Sequence, residues 1–172
     1  AHRVSLPWEL PMSSIIALCN ARKSAEIEVQ IFGRVPLAIS ARCYSARAHG
    51  LHKDGCRYVC GEALDGMDVE TLDHIPFLAV NGLQTLSSHY LELSTAVDDL
   101  KDAGVTAFRI SPHTLDMVRV ANLYRRLIDG ETSSDEVRQS LLEMQNDLAF
   151  ADGFLHSLPG ADLRETLGSR AE

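Results

Sequence analysis

No apolar run in this chain approaches the roughly 18–20 residues that a helix needs to cross a bilayer, so no membrane span is expected. Positive charge is in deficit as well: 16 Lys and Arg stand against 24 Asp and Glu, a formal net charge of −8. Nucleic acid is held largely through phosphate contacts, so an acidic chain is a poor general binder of DNA or RNA. The phosphate-cradling patterns G-x-G-x-x-G and G-x-x-x-x-G-K-S/T are missing. So are the serine-hydrolase elbow G-x-S-x-G and the zinc-protease pair H-E-x-x-H. Nucleotide binding and serine hydrolysis therefore have no support. The opening AHRVSLPWEL offers neither a signal-peptide core nor an initiating methionine and reads as a strand entered mid-stride. Without an export signal the cysteines are expected in a reducing compartment, the cytoplasm by default, where a disulfide framework is not expected.

What is present suits one domain over residues 1–172, with 45% hydrophobic residues to build a core. Residues 4–6 predict a short strand. Ser13 predicts the cap of a helix facing Ile15, Ile16, Leu18 and Cys19 inward. Residues 26–32 alternate, with Ile27, Val29 and Ile31 on one face and Glu26, Glu28 and Gln30 on the other, and Gly33 is expected to end that strand. Residues 44–76 read as a long loop, a length usually tied to function. Asn81-Gly82 between apolar segments 77–80 and 83–86 predicts a hairpin. An amphipathic helix follows over 93–103, closed by Gly104. Next come a strand over 105–110, a helix opened by Ser111-Pro112 and closed by Gly130, and a helix over 134–144 capped by Ser133 or Ser134. The tail, 150–163, reads as irregular. This alternation predicts a parallel α/β sheet. A (β/α) barrel typically takes about 250 residues, so the chain is either an open α/β domain or part of a TIM-like barrel.

Cys43, Cys56 and Cys60, spaced C-x12-C-x3-C, form the chain's one constellation of metal-ligand type. Thiols close together on a polar loop suit a soft metal that fixes a segment unable to bury itself. Spacing leaves three readings open: an iron–sulfur cluster, structural zinc, for which only Cys56/Cys60 resembles a knuckle, or three incidental thiols. Arg42, Arg47, His49, His52, Lys53 and Arg57 surround them, and neighbouring cations favour thiolates. Glu62, Asp65, Asp68, Glu70 and Asp54 read as a solvated acidic surface. Cys19 reads as a core residue on its helix. Of the scattered His74, His89, His113 and His156, His113 is best placed, just past a predicted strand end, where parallel α/β folds put their sites.

Several segments carry a resemblance. Residues 33–44, Gly-Arg-Val-Pro-Leu-Ala-Ile-Ser-Ala-Arg-Cys-Tyr, resemble the P-L-A-x-S-A-R-C-F/Y segment of the collagenase-like "peptidase U" family. Val80-Asn81-Gly82-Leu83-Gln84-Thr85-Leu86-Ser87 and Arg109-Ile110-Ser111-Pro112 are similar to motifs of its ubiquinone-biosynthesis branch. RNA-hydroxylating relatives carry I-E-G-R at the latter place. Asp152-Gly153-Phe154 resembles the family's closing N-G-Y/F. The resemblance implies the C-terminal half of a (β/α) TIM-like barrel and a 4Fe-4S cluster. Cys43, Cys56 and Cys60 would be its ligands, with a fourth expected upstream. It further implies oxygen-independent hydroxylation of a ubiquinone precursor, in a heterodimer with a UbiU-like protein, with prephenate as oxygen donor. Alternatives are a non-catalytic metal-stapled scaffold subunit and RNA hydroxylation. Peptidase activity is not expected, since no nucleophile–base pair is visible. Arg42, Arg109 and His113 are the candidates for substrate contact, chosen from charge and strand-end position.

Overall fold

The computed structural model describes residues 1–52 and 55–164. The chain forms two compact units, Ala1–Gly33 with Tyr90–Glu172, and Arg34–His89. The architecture is mixed α/β, and among the described residues the strands form an open sheet that does not close into a barrel. The strands are β1 (Arg3–Ser5), β2 (Glu26–Ile39), β3 (Met67–Glu70), β4 (Pro76–Asn81), β5 (Gln84–Glu92), β6 (Ala107–Ile110) and β7 (Phe150–Ala151). The helices are α1 (Met12–Ala21), α2 (Tyr44–Ala48), α3 (Val97–Asp102), α4 (Met117–Ile128) and α5 (Ser134–Met144). None is long and apolar enough to cross a membrane.

In the first unit the expected parallel pairing is present. β2 runs beside β1, with Val4 opposite Ile27, and beside β6, with Val29 opposite Phe108. The end of β5 pairs in parallel with β7, Tyr90 opposite Phe150. Ile27, Val29 and Ile31 are buried as their alternation requires, but Gln30 on the other face is buried too. A strand covered on both faces hides its polar residues as well as its apolar ones. α4 contributes Val120, Leu123 and Tyr124 to the core, and α5 contributes Val137 and Leu141. α5 begins as expected: Ser133 accepts from Glu136 N–H, and Glu136 returns the bond in a capping box.

Three boundaries differ from expectation. α1 starts at Met12 behind Pro11, whose fixed φ suits a helix start, so Ser13 lies inside the helix, and Ile16 and Leu18 are exposed. Residues 111–115 stay non-helical, and α4 starts behind Asp116, whose carboxylate accepts from Arg119 N–H. A charged cap there serves better than Ser111-Pro112. Residues 93–103 divide into a 3-10 turn, Ser94–Ala96, and the short α3. The tail is not wholly irregular: it holds β7 and a 3-10 turn, Gly153–His156.

One charge sits at the centre of this unit. Glu92 reaches no solvent, and its carboxylate accepts from Tyr124 Oη at 2.9 Å and Ser94 N–H at 2.7 Å while pairing with Arg138. Burial pushes the Tyr124 phenol well above its ordinary value, and the Glu92 charge adds to the rise.

The second unit is an antiparallel meander, β3–β4–β5, with Val69 opposite Leu78 and Ala79 opposite Leu86. Its turn is Gly82-Leu83 rather than the expected Asn81-Gly82, because Asn81 pairs with Gln84. Gly82 has φ +61° and Leu83 is not in the left-handed region, the sign pattern of a type II′ hairpin turn. The expected loop over 44–76 is not one loop: it contains α2, a 3-10 turn at Val59–Glu62, and β3. Little of this unit is core. Its buried hydrophobic residues are Val35, Ala46 and Ala79, while Tyr58, Leu64, Leu72, Ile75 and Phe77 stand exposed.

Candidate functional site

The three cysteines all belong to the second unit and all are free thiols. Cys43 is the N-cap of α2, and its Sγ accepts the Ala46 N–H at 3.3 Å. Cys56 is exposed, and its Sγ accepts the Tyr58 N–H at 3.4 Å. Cys60 lies in the 3-10 turn that follows Tyr58, a residue held in the left-handed region at φ 54°. Among the described residues no three ligand-type side chains are gathered into a ready metal site. The residue types present, three thiols, are donors of the kind a soft metal takes.

α2 is pinned against the hairpin turn. Buried Ser45 accepts the Gly82 N–H on its Oγ at 3.1 Å, and Tyr44 N–H donates to the Gly82 carbonyl at 3.0 Å. His49 bonds the Ser45 carbonyl through Nδ1 at 2.8 Å and faces Glu62 at 3.7 Å through Nε2, linking α2 to the turn that carries Cys60. Beside Cys43 opens a concavity of about 660 Å³ lined by Ala41, Arg42, Ala46, Arg47, Leu51 and His52. Of the cationic cluster read from sequence, Arg42, Arg47 and His52 line this hollow; Lys53, and Asp54 of the acidic set, lie outside the described residues. The remaining acidic residues are not merely solvated: Asp68 pairs with Arg34 at 3.1 Å and Glu70 with His74 at 3.2 Å.

Arg109 and His113 belong to the first unit and meet different partners. Arg109 donates from Nη2 to Gln30 Oε1 at 3.1 Å, while its Nε is buried without a hydrogen-bond partner among the described residues. The His113 ring stands edge-on to Tyr90 with centroids 4.8 Å apart, and to Phe32 at 6.2 Å. It also closes over Gly33, where a Cβ would come within 2.8 Å of His113 Nε2 and 2.7 Å of Ser111 Cβ. Gly33, at φ +106°, therefore lets β2 continue instead of ending it, and leaves room for the imidazole. Gln30 and Tyr90 were not legible as members of this group: Glu26 and Glu28 made Gln30 look solvent-facing. Cys19 is buried in α1, as read. His156 pairs with buried Asp152 at 3.4 Å. His89 Nδ1 lies 2.9 Å from the hydroxyl of Ser88, a contact between consecutive residues of β5.

No solved structure matches the chain. The model of Peptidase family U32 matches residues 1–165, nearly the whole sequence, and this places the chain in that family. The resemblance read from residues 33–44 and from the Asn81-Gly82 stretch is borne out at that level: this chain is a member of peptidase family U32.

Proposed function

We propose that this chain is the cysteine-bearing C-terminal part of a UbiV-like protein, the iron–sulfur component of oxygen-independent ubiquinone biosynthesis in the cytoplasm. The observation that supports this most is the character of the second unit. It holds Cys43, Cys56 and Cys60 and buries very little apolar surface of its own. A unit so poor in core is the kind that metal ligation stabilises. Cys43, Cys56 and Cys60 would hold three positions of a 4Fe-4S cluster, with the fourth thiolate supplied from upstream sequence; together they complete a C-terminal half of a TIM-like barrel. When bound, such a cluster supplies electron transfer or a Lewis-acidic iron. The chain's own contribution is to hold the thiolates, through the N–H groups of Ala46 and Tyr58, beside a cationic concavity. The partner would be a UbiU-like protein and the substrate a ubiquinone precursor, with prephenate as oxygen donor.

Anaerobic preparation of the protein with its upstream portion and partner tests this. About four irons and four sulfides per chain are expected, and Cys56→Ser should lose iron and ring hydroxylation while keeping the heterodimer. A colourless zinc protein would sink the reading. Loss of the heterodimer on Cys56→Ser would instead favour a second reading, a metal-stapled scaffold subunit, to which the exposed Leu72, Ile75 and Phe77 lend some support.

A further inference from the structure

We propose that the concavity beside Cys43 binds a small molecule bearing an oxyanion, a carboxylate or a phosphate ester, on an apolar body, with Arg42 and Arg47 as its recognition residues. Its volume, about 660 Å³, suits a small-molecule site. Ala41, Ala46 and Leu51 give it apolar walls, and Arg42, Arg47 and His52 give it donors. Its shape is fixed by backbone bonds, Leu51 N–H to the Ala46 carbonyl at 2.8 Å and Arg47 N–H to the Cys43 carbonyl at 3.1 Å.

The disposition of arginines across the molecule carries the argument. Outside residues 42–57, every described arginine has a partner. Arg3 pairs with Glu26, Arg34 with Asp68, Arg119 with Glu143, Arg125 with Asp129, Arg126 with Glu131 and Arg138 with Glu92. Arg22 bonds the Gly104 carbonyl, Arg109 bonds Gln30 and Arg164 bonds His156. For the Arg42, Arg47 and Arg57 side chains no hydrogen bond or ion pair is found among the described residues, and of these three Arg42 and Arg47 line the hollow. In a chain of net charge −8 the unpartnered arginines thus fall in one short segment. Two acids of this unit meet other side chains, Glu62 with His49 and Asp68 with Arg34. A guanidinium presents a planar fork of donors that matches carboxylate and phosphate alike. Two such forks open onto a partly apolar hollow, so a ligand with an anionic head and an apolar body satisfies both. That this ligand is a substrate of the cysteine site rests on the reading proposed above; the binding itself does not.

Titration calorimetry of the protein as isolated anaerobically, at low ionic strength, with benzoate and with phenyl phosphate, tests the site. Saturable binding of at least one probe is expected, weakened about tenfold or more by Arg42→Gln or Arg47→Gln and unchanged by Arg125→Gln. The tighter probe identifies the anionic head. Both arginines are exposed, so far-UV circular dichroism of the variants should match the parent. Absence of saturable binding by both probes, or equal weakening by Arg125→Gln, overturns the proposal. Iron content after reconstitution is read on the same variants. If the arginine changes lower iron uptake and leave probe binding intact, the arginines serve the thiolates and the anion site is wrong. If the parent binds the probes but takes up no iron, the anion site stands and the cluster reading fails.

Discussion

In the unit formed by Ala1–Gly33 with Tyr90–Glu172, a carboxylate without solvent contact is held by a tyrosine, a backbone N–H and an arginine. In Arg34–His89, by contrast, two arginines and a thiol line an open hollow, and Leu72 is wholly exposed. The first unit holds its most deeply buried charge with partners of its own, while Trp8 Nε1 and Arg109 Nε are buried there without a hydrogen-bond partner among the described residues. Among the described residues of the second, Arg42 and Arg47 have no hydrogen bond or ion pair, and Cys43 lines the hollow beside them. Exposed donors without partners that line a hollow are a natural place to look for ligands.

The contrast can be broken most sharply at Glu92. Glu92→Ala strands Arg138 and the Tyr124 hydroxyl in the interior, and removal of one partner from a buried pair costs about 3–5 kcal/mol; urea unfolding should show a loss of that size. A loss below about 1 kcal/mol would mean that the network is not what orders this unit. The next test compares two leucines. Leu100 is fully buried on α3, and Leu100→Ala is expected to cost about 2–5 kcal/mol, whereas Leu72→Ser on the exposed hairpin should stay within about 0.5 kcal/mol. Equal effects would erase the distinction between the units.

A third substitution probes the first unit alone. Gly33→Ala places a methyl against Ser111 and His113 at a left-handed φ, so a loss of about 1–3 kcal/mol is expected in the same unfolding assay. The smallest effect is at the α5 cap, where Ser133→Ala should cost about 1 kcal/mol. The hydrogen bond from Thr132, with that from Ser133 N–H, holds the Glu136 carboxyl below its ordinary value. A depressed folded pKa contributes stability that is present above the unfolded pKa and lost as pH falls through the folded one. Glu136→Gln should therefore slightly lower stability at neutral and alkaline pH, flatten the acid-side slope by the same small amount, and match the parent at pH below the folded pKa.

How much of this could be read beforehand depended on how local the cause was. The alternation of Ile27, Val29 and Ile31 and the Ser133–Glu136 capping box are spelled within a few residues, and both are present in the structure. α2 and β3 were missed because what holds them lies far along the chain: Ser45 is fixed by Gly82, and β3 exists as the partner of β4. The start of α4 went to Asp116 because a charged cap outweighed Ser111-Pro112, and Gln30 was concealed by two acidic neighbours in register. For the site, the cysteines and Arg42 were visible as residue types. The pairing of the other described arginines outside residues 42–57, which sets off the Arg42–Arg47 hollow, exists only in three dimensions.

The Glu92 network also bears on the order in which the chain can be completed. Its carboxylate belongs to β5, yet its hydroxyl partner comes 32 residues later and its guanidinium partner 46 residues later. A chain growing from its N-terminus carries a charge destined for the interior before any side chain that can neutralise it has emerged. The buried carboxylate at the end of β5 therefore gains its side-chain partners only once α4 and α5 have both been made, and the same strand end takes β7 as a neighbour later still.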